Sequence, residues 1–210
     1  MTISKFAMAM LAANLFAMPV SAAGIDCKKP STESDRMICG DQSLRIRDAM
    51  TSDLYTAARK SDDANIIEGR QQRWIKSVQS CHDAACIRQA YDNQIGYLQA
   101  TKGGQSVSTN FLAEGGKGDE GNLSIFGPVG GLTAILLTAT HVGPGGANAG
   151  DVDAGSINGV IPLKGGHGKL SVDNCSIGFE RLNAQTWRVT QAEVCDFADG
   201  VTMQGTYRKQ

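Results

Sequence analysis

Apolar residues recur at helical intervals through the first half of the chain. Asp41 is placed to cap a helix that carries Leu44, Ile46, Leu54, Tyr55 and Ala58. Asp62 or Asp63 caps the next, with Ile67, Trp74, Ile75 and Val78 on its apolar side. Asp83 precedes a third, where Ile87, Tyr91, Ile95 and Leu98 fall at steps of 4, 4 and 3 along one face. A short helical turn over Ser34 to Cys39 comes before them. Trp74 is expected to be a core anchor, and Arg70, Arg73 and Lys76 a solvated basic face.

The second half changes period. Leu123-Ser124-Ile125-Phe126 alternates, and Leu132 to Val142 is an apolar run long enough for a buried strand. Leu170 and Val172 share a face, as do Cys175, Ile177 and Phe179. Trp187 and Val189 follow, then Met203, Gly205 and Tyr207. Gly-rich breaks such as Gly143-Pro144-Gly145-Gly146 and Gly165-Gly166-His167-Gly168 separate the runs. Short strands with Gly-rich turns predict an antiparallel sandwich or small barrel.

Glycine usage sharpens the division. Residues 24–102 hold 4 of the 25 glycines and residues 103–210 hold 21. The first segment carries a net charge of +1 and the second -3. The expected fold is therefore α+β in two domains. A small helical domain (24–102) precedes a Gly-rich β domain (107–210), with Thr101 to Ser106 as linker. The full-chain net charge of -1 gives no basic footprint for nucleic acid.

Residues 1–23 read as a secretory signal peptide. Lys5 is followed by an apolar stretch from Phe6 to Val20 and the small residues Ser21-Ala22-Ala23. The stretch is shorter than the roughly 18 residues of a membrane anchor, and Cys27 stands too far along for lipidation. The expected location is periplasmic or secreted.

Export favours disulfides, and six cysteines is an even number. If the halves are separate units, Cys175 pairs with Cys195 across the Asn183-Ala184-Gln185 turn. Among Cys27, Cys39, Cys81 and Cys86, short separations favour Cys27–Cys39 and Cys81–Cys86, with a crossed pattern such as Cys27–Cys86 as the alternative. Their spacings suit zinc poorly.

Ile25-Asp26-Cys27, then Cys39-Gly40-Asp41 and Leu44, then Gln71-Gln72-Arg73-Trp74-Ile75 and Cys81-His82-Asp83-Ala84-Ala85-Cys86-Ile87, with Tyr91 and Leu98, form one constellation. Over residues 25–100 it resembles the lysozyme inhibitor LprI-like N-terminal domain. The resemblance implies a secreted helical module with four framework cysteines and no catalytic residues, and it attaches lysozyme inhibition to the family's name-giving member. The ending Gly205-Thr206-Tyr207-Arg208 is similar to the closing strand of β domains often found behind this module.

No enzymatic motif is present. His82, His141 and His167 are scattered, and hydrolytic and phosphate-binding signatures are missing. Glu114, Asp119 and Glu120 offer paired carboxylates, but any acidic Gly-rich loop would do the same. Asp151 to Asn158 has the start of a calcium loop, broken at Gly155 and Ser156 and lacking a Glu at the twelfth position, which is Pro162. No cofactor or metal is expected.

The resulting expectation is a non-enzymatic binding protein that occludes the cleft of a lysozyme-like, peptidoglycan-cleaving enzyme. Such enzymes are commonly cationic, so the acidic half is the better docking surface. Its candidate loops are Gly115 to Gly121 and Gly150 to Gly159, with Asp119, Glu120, Asp151 and Asp153 as partner-binding residues. The alternatives are an envelope adaptor that binds a self partner and an immunity protein against a wall-degrading toxin.

Overall fold

The computed structural model describes residues 24–113, 119–172, 174–192 and 195–210. Four helices open the fold: α1 (Glu33–Gly40), α2 (Gln42–Ser61), α3 (Ala64–Gln79) and α4 (Ala84–Ala100). Each is started by a side chain that takes up orphan backbone N–H groups. Thr32 and Asp35 form a capping box on α1. Asp41, Asp63 and Asp83 cap α2, α3 and α4, each a contribution of about 1 kcal/mol. Asp62 has a different task, accepting from Lys102 N and Gly103 N at the start of a fifth helix.

That fifth helix, α5 (Lys102–Val107), lies where the sequence suggests a linker. Its glycines serve close packing rather than flexibility. A Cβ on Gly103 would run into the Ala57 carbonyl of α2, and one on Gly104 into the Leu98 carbonyl of α4. The segment is wedged against both helices, which a side chain of any size would prevent.

Eight antiparallel strands follow: β1 (Thr109–Ala113), β2 (Glu120–Val129), β3 (Leu132–Val142), β4 (Val152–Pro162), β5 (His167–Val172), β6 (Cys175–Asn183), β7 (Thr186–Ala192) and β8 (Gly205–Lys209). They form one sheet in the order β4-β3-β2-β1-β8-β7-β6-β5. This is a single curled sheet close to a barrel rather than two stacked layers. Its end strands meet through side chains: Leu170 fills the space beside Gly159, and Leu163 and Ile161 fill that beside Gly168. The interior holds Phe111, Leu123, Ile135, Leu137, Ile177, Phe179, Trp187, Met203 and Tyr207.

The stretch Gly150 to Gly159, expected to be a loop, is mostly β4. Gly155 is there because Phe197, Val201 and Met203 each stand 3.1 Å from where its Cβ would be. Of the other expected loop, Gly115–Gly118 and Glu114 lie outside the described residues, whereas Glu120 and Gly121 begin β2.

The helices cover one outer face of the sheet. Met50, Leu54, Tyr55, Ile95 and Leu98 form a single apolar cluster with Ala134 and Val160, joined by Phe126, Val129 and Leu132. Strand β3 is thus buried on both faces, which explains its uninterrupted apolar run. A polar seam reinforces the join. Arg47, 4% exposed, gives Nε to Asp92 Oδ1 (2.6 Å) and Nη2 to the Val160 carbonyl (2.9 Å). Asn158 Nδ2 donates to the Asp92 carbonyl (2.8 Å), and Gln99 Nε2 to the Ser124 carbonyl (2.8 Å).

The disulfides are Cys27–Cys39, Cys81–Cys86 and Cys175–Cys195. Trp74 is only half-buried. Its Nε1 donates to the Ala90 carbonyl (3.0 Å), and its ring meets Tyr91 edge-on with centroids 5.0 Å apart. Arg73 and Lys76 are exposed, and Arg70 stacks over the Tyr97 ring at 3.7 Å.

Buried tyrosines make the fold sensitive to alkali, Tyr207 and Tyr91 above all. Burial pushes the Tyr207 hydroxyl up to about 12, while it donates to the Met203 carbonyl. Burial, with the adjacent Asp48 carboxylate, raises Tyr91 as well. An unfolded tyrosine ionises near pH 10. The stability these neutral groups contribute is complete below that pH and is lost as pH rises through the folded value. Absorbance titration is expected to show them ionising only as the circular-dichroism signal of the fold collapses. Ionisation of all four tyrosines near pH 10 with the fold intact would contradict this burial.

Candidate docking rim

Register sets the acidic residues at one end of the sheet, Glu120 on its outer face and Asp153 on its inner face. Glu120 stands opposite Thr140, and His141 opposite Asp153, so the start of β2, the end of β3 and the start of β4 share one rim of the sheet. Asp119 lies just ahead of β2. Its Oδ1 faces His141 Nδ1 at 3.0 Å and accepts from Val142 N at 3.1 Å.

Asp151 closes the neighbouring loop. Its Oδ2 accepts from Gly145 N (2.7 Å) and its carbonyl from Gly143 N (3.0 Å). Ala147–Ala149 form a 3-10 turn between Gly146 and Gly150, whose φ values of 81° and 75° suit glycine. A Cβ on Gly143 would come within 2.5 Å of the Asp151 carboxylate. The loop is therefore a small, tightly turned knob with its acidic group fixed at the base.

A further segment, which sequence reasoning missed as a site element, completes the rim. Gly200, at φ +75°, sits on the His141 ring so closely that a Cβ would collide with it. Phe197 and Val201 pack onto β4, and the Cys175–Cys195 bond anchors the start of this stretch. Asp196 and Asp199 are exposed on it. The signal that could have found them is their place in the short run between Cys195 and Gly200.

The rim thus gathers Asp119, Glu120, Asp151 and Asp153 with Asp196 and Asp199. Among the described residues of these segments, His141 is the one basic group. His167 stands at the other end of the sheet, paired with Glu180, so the two histidines do not meet. The calcium pattern does not converge either. Asp151 turns toward Gly145, while the Asn158 amide reaches α4. Among the described residues, no three His, Cys, Asp or Glu side chains form a metal-holding group. No described helix is long and apolar enough to cross a membrane.

Comparison with protein-family models, with curated proteins and with solved structures finds no match to this chain.

Proposed function

We propose that this chain is an exported, non-enzymatic binding protein that inhibits a lysozyme-like glycosidase by laying its acidic rim across the enzyme's cationic cleft. The observation that carries the reading is that Asp119, Glu120, Asp151 and Asp153 stand along one rim of the sheet, beside a glycine-turned loop. Carboxylates on a protruding rim attract a cationic partner over the screening length of about 8–10 Å, and glycine lets backbone approach it closely. The resemblance of residues 25–100 to the LprI-like module points the same way.

In this reading residues 1–23 direct export and are removed, and the protein works in the periplasm or outside the cell. The helical module of residues 24–102 and the β-rich residues 107–210 are two units of sequence that act as one body. The helices brace the strands that carry the rim.

The test is a cell-wall lysis assay with several lysozyme types and the intact protein. Inhibition is expected at micromolar protein, weakening as salt rises. Replacing Asp151 and Asp153, or Asp119 and Glu120, by Asn or Gln is expected to slow association about tenfold, with dissociation changed less. Asp196→Asn with Asp199→Asn tests the added segment without touching a hydrogen bond of the rim loop. No inhibition of any type would reject this reading in favour of the envelope adaptor. Inhibition untouched by every rim variant would move the site elsewhere.

A further inference from the structure

We propose that hydrolysis of the Ala23–Gly24 bond creates an α-ammonium that Asp48 binds, making the processed amino terminus a structural cation at the wall of a cavity in the helical module. This inference rests on the export reading above but not on lysozyme as the partner.

The cavity has a volume of about 180 Å³ and lies among α1, α2, α3 and α4. Trp74, Ile75, Val78 and Tyr91 supply apolar wall, and Asp35 and Asp48 supply two carboxylates. No Lys, Arg or His lines it. Among the lining groups these two carboxylates meet hydrogen-bond donors but no cationic side chain.

Asp48 is held in place. Its Oδ1 accepts from the Tyr91 hydroxyl (2.9 Å), and its Oδ2 accepts from Ile25 N (2.8 Å). Tyr91 is fully buried, which fixes that end of the network. Among the described residues, no ion pair to Lys or Arg is formed by Asp48. Asp35 is engaged by Ser31 and Thr32 at the α1 cap. Burial works against its ionisation, but those hydrogen bonds outweigh it and hold the carboxyl below its ordinary range.

Gly24 and Ile25 form part of the same wall. The place of a Cβ on Gly24 is taken by the Asp48 carboxylate, so the Gly24 α-carbon lies against it. The next backbone nitrogen, Ile25 N, already donates to the same carboxylate. Any larger residue at position 24 would displace the carboxylate. The small residues Ser21-Ala22-Ala23 immediately before Gly24 suit a peptidase of the export machinery. Water adds across the amide. The new carboxylate leaves with Ala23, and the Gly24 nitrogen takes a proton to become an ammonium.

The surroundings favour that charge. α1 and α2 contribute the carboxyl groups of Asp35 and Asp48, α4 the Tyr91 hydroxyl, and α3 only uncharged Gln71, Trp74 and Gln79 among its polar and aromatic lining groups. Arg45 and Asp53 border the outer side of Gly24 and offset one another in sign. The ammonium is therefore expected to titrate above the ordinary α-amino range of about 7.7–8.0. A raised folded value means that the stabilisation is complete below that range and is lost as pH rises through the folded value.

The experiment expresses residues 1–210 in a Gram-negative host and recovers the exported protein. Intact mass and amino-terminal sequencing are expected to give Gly24 as the first residue. The α-amine, read by NMR after ¹³C-dimethylation, is expected to titrate about one unit above its ordinary range. In Asp48→Asn, and in a folded chain carrying Met-Ala ahead of Gly24, it is expected to return to that range. The extended chain is also expected to melt lower than the processed one at pH 6, with the gap closing above pH 10. A start at another residue, an ordinary α-amine titration in the processed protein, or identical melting of the two chains would each overturn the proposal. Failure in the lysis assay leaves these readouts unchanged, so the two readings fail separately.

Discussion

Arg47→Ala is expected to lower the unfolding free energy by about 3–5 kcal/mol. The guanidinium is nearly inaccessible and ties α2 to α4 through Asp92 and to β4 through the Val160 carbonyl. Its removal leaves a carboxylate without a counter-ion and a buried carbonyl without a donor. Replacing both charged partners, Arg47→Met with Asp92→Leu, is expected to recover much of the loss, because an apolar pair leaves no charge stranded. The two tryptophans supply separate probes, since Trp74 sits on α3 and Trp187 inside the sheet. In single-tryptophan variants, denaturant unfolding should give coincident transitions for the parent chain. Arg47→Ala should pull them apart, the helices loosening first. A loss below about 1 kcal/mol, or transitions that stay superimposed, would show that the shared apolar cluster alone holds the halves together.

Replacing Cys175 and Cys195 by Ala is expected to cost about 3 kcal/mol, against about 2 kcal/mol for the Cys81 and Cys86 pair. The sequence separations of 20 and 5 set that order, because the longer loop restricts the unfolded chain more. The first substitution also frees the stretch that lays Gly200 on His141 and presents Asp196 and Asp199. Under the proposed function it should therefore weaken inhibition, while the second should not. Equal effects of both pairs on inhibition would mean that the rim does not depend on this anchor. Thermal melts paired with the lysis assay separate stability from binding.

The helices were legible in the sequence because their signals are local. Asp41 and Asp83 sit at the helix starts, and the spacing from Ile87 to Leu98 marks one face without reference to anything distant. Strand β3 was legible for the opposite reason. Burial from both sides left Leu132 to Val142 almost free of polar interruptions. Strand β4 and helix α5 were not legible, because their glycines answer to partners far away in sequence. Gly155 makes room for Met203, and Gly103 for the backbone at Ala57. Read locally, such glycines look like loop. The acidity of the rim residues was likewise apparent. Their place along one rim depends on the register that sets Asp153 against His141, and pattern alone does not give that pairing.

The sheet order has a consequence for timing. Strand β1 lies between β2 and β8, with Phe111 opposite Lys209, although nearly the whole β-rich part of the chain separates them. As the chain emerges amino end first, from a ribosome or through a membrane channel, β1 keeps an unpaired edge until residues 205–209 appear. Until then the interior beside Phe111 lacks the wall that Tyr207 supplies. Closure therefore waits for β8, and a chain stalled short of it presents a sticky open edge rather than a smaller finished fold.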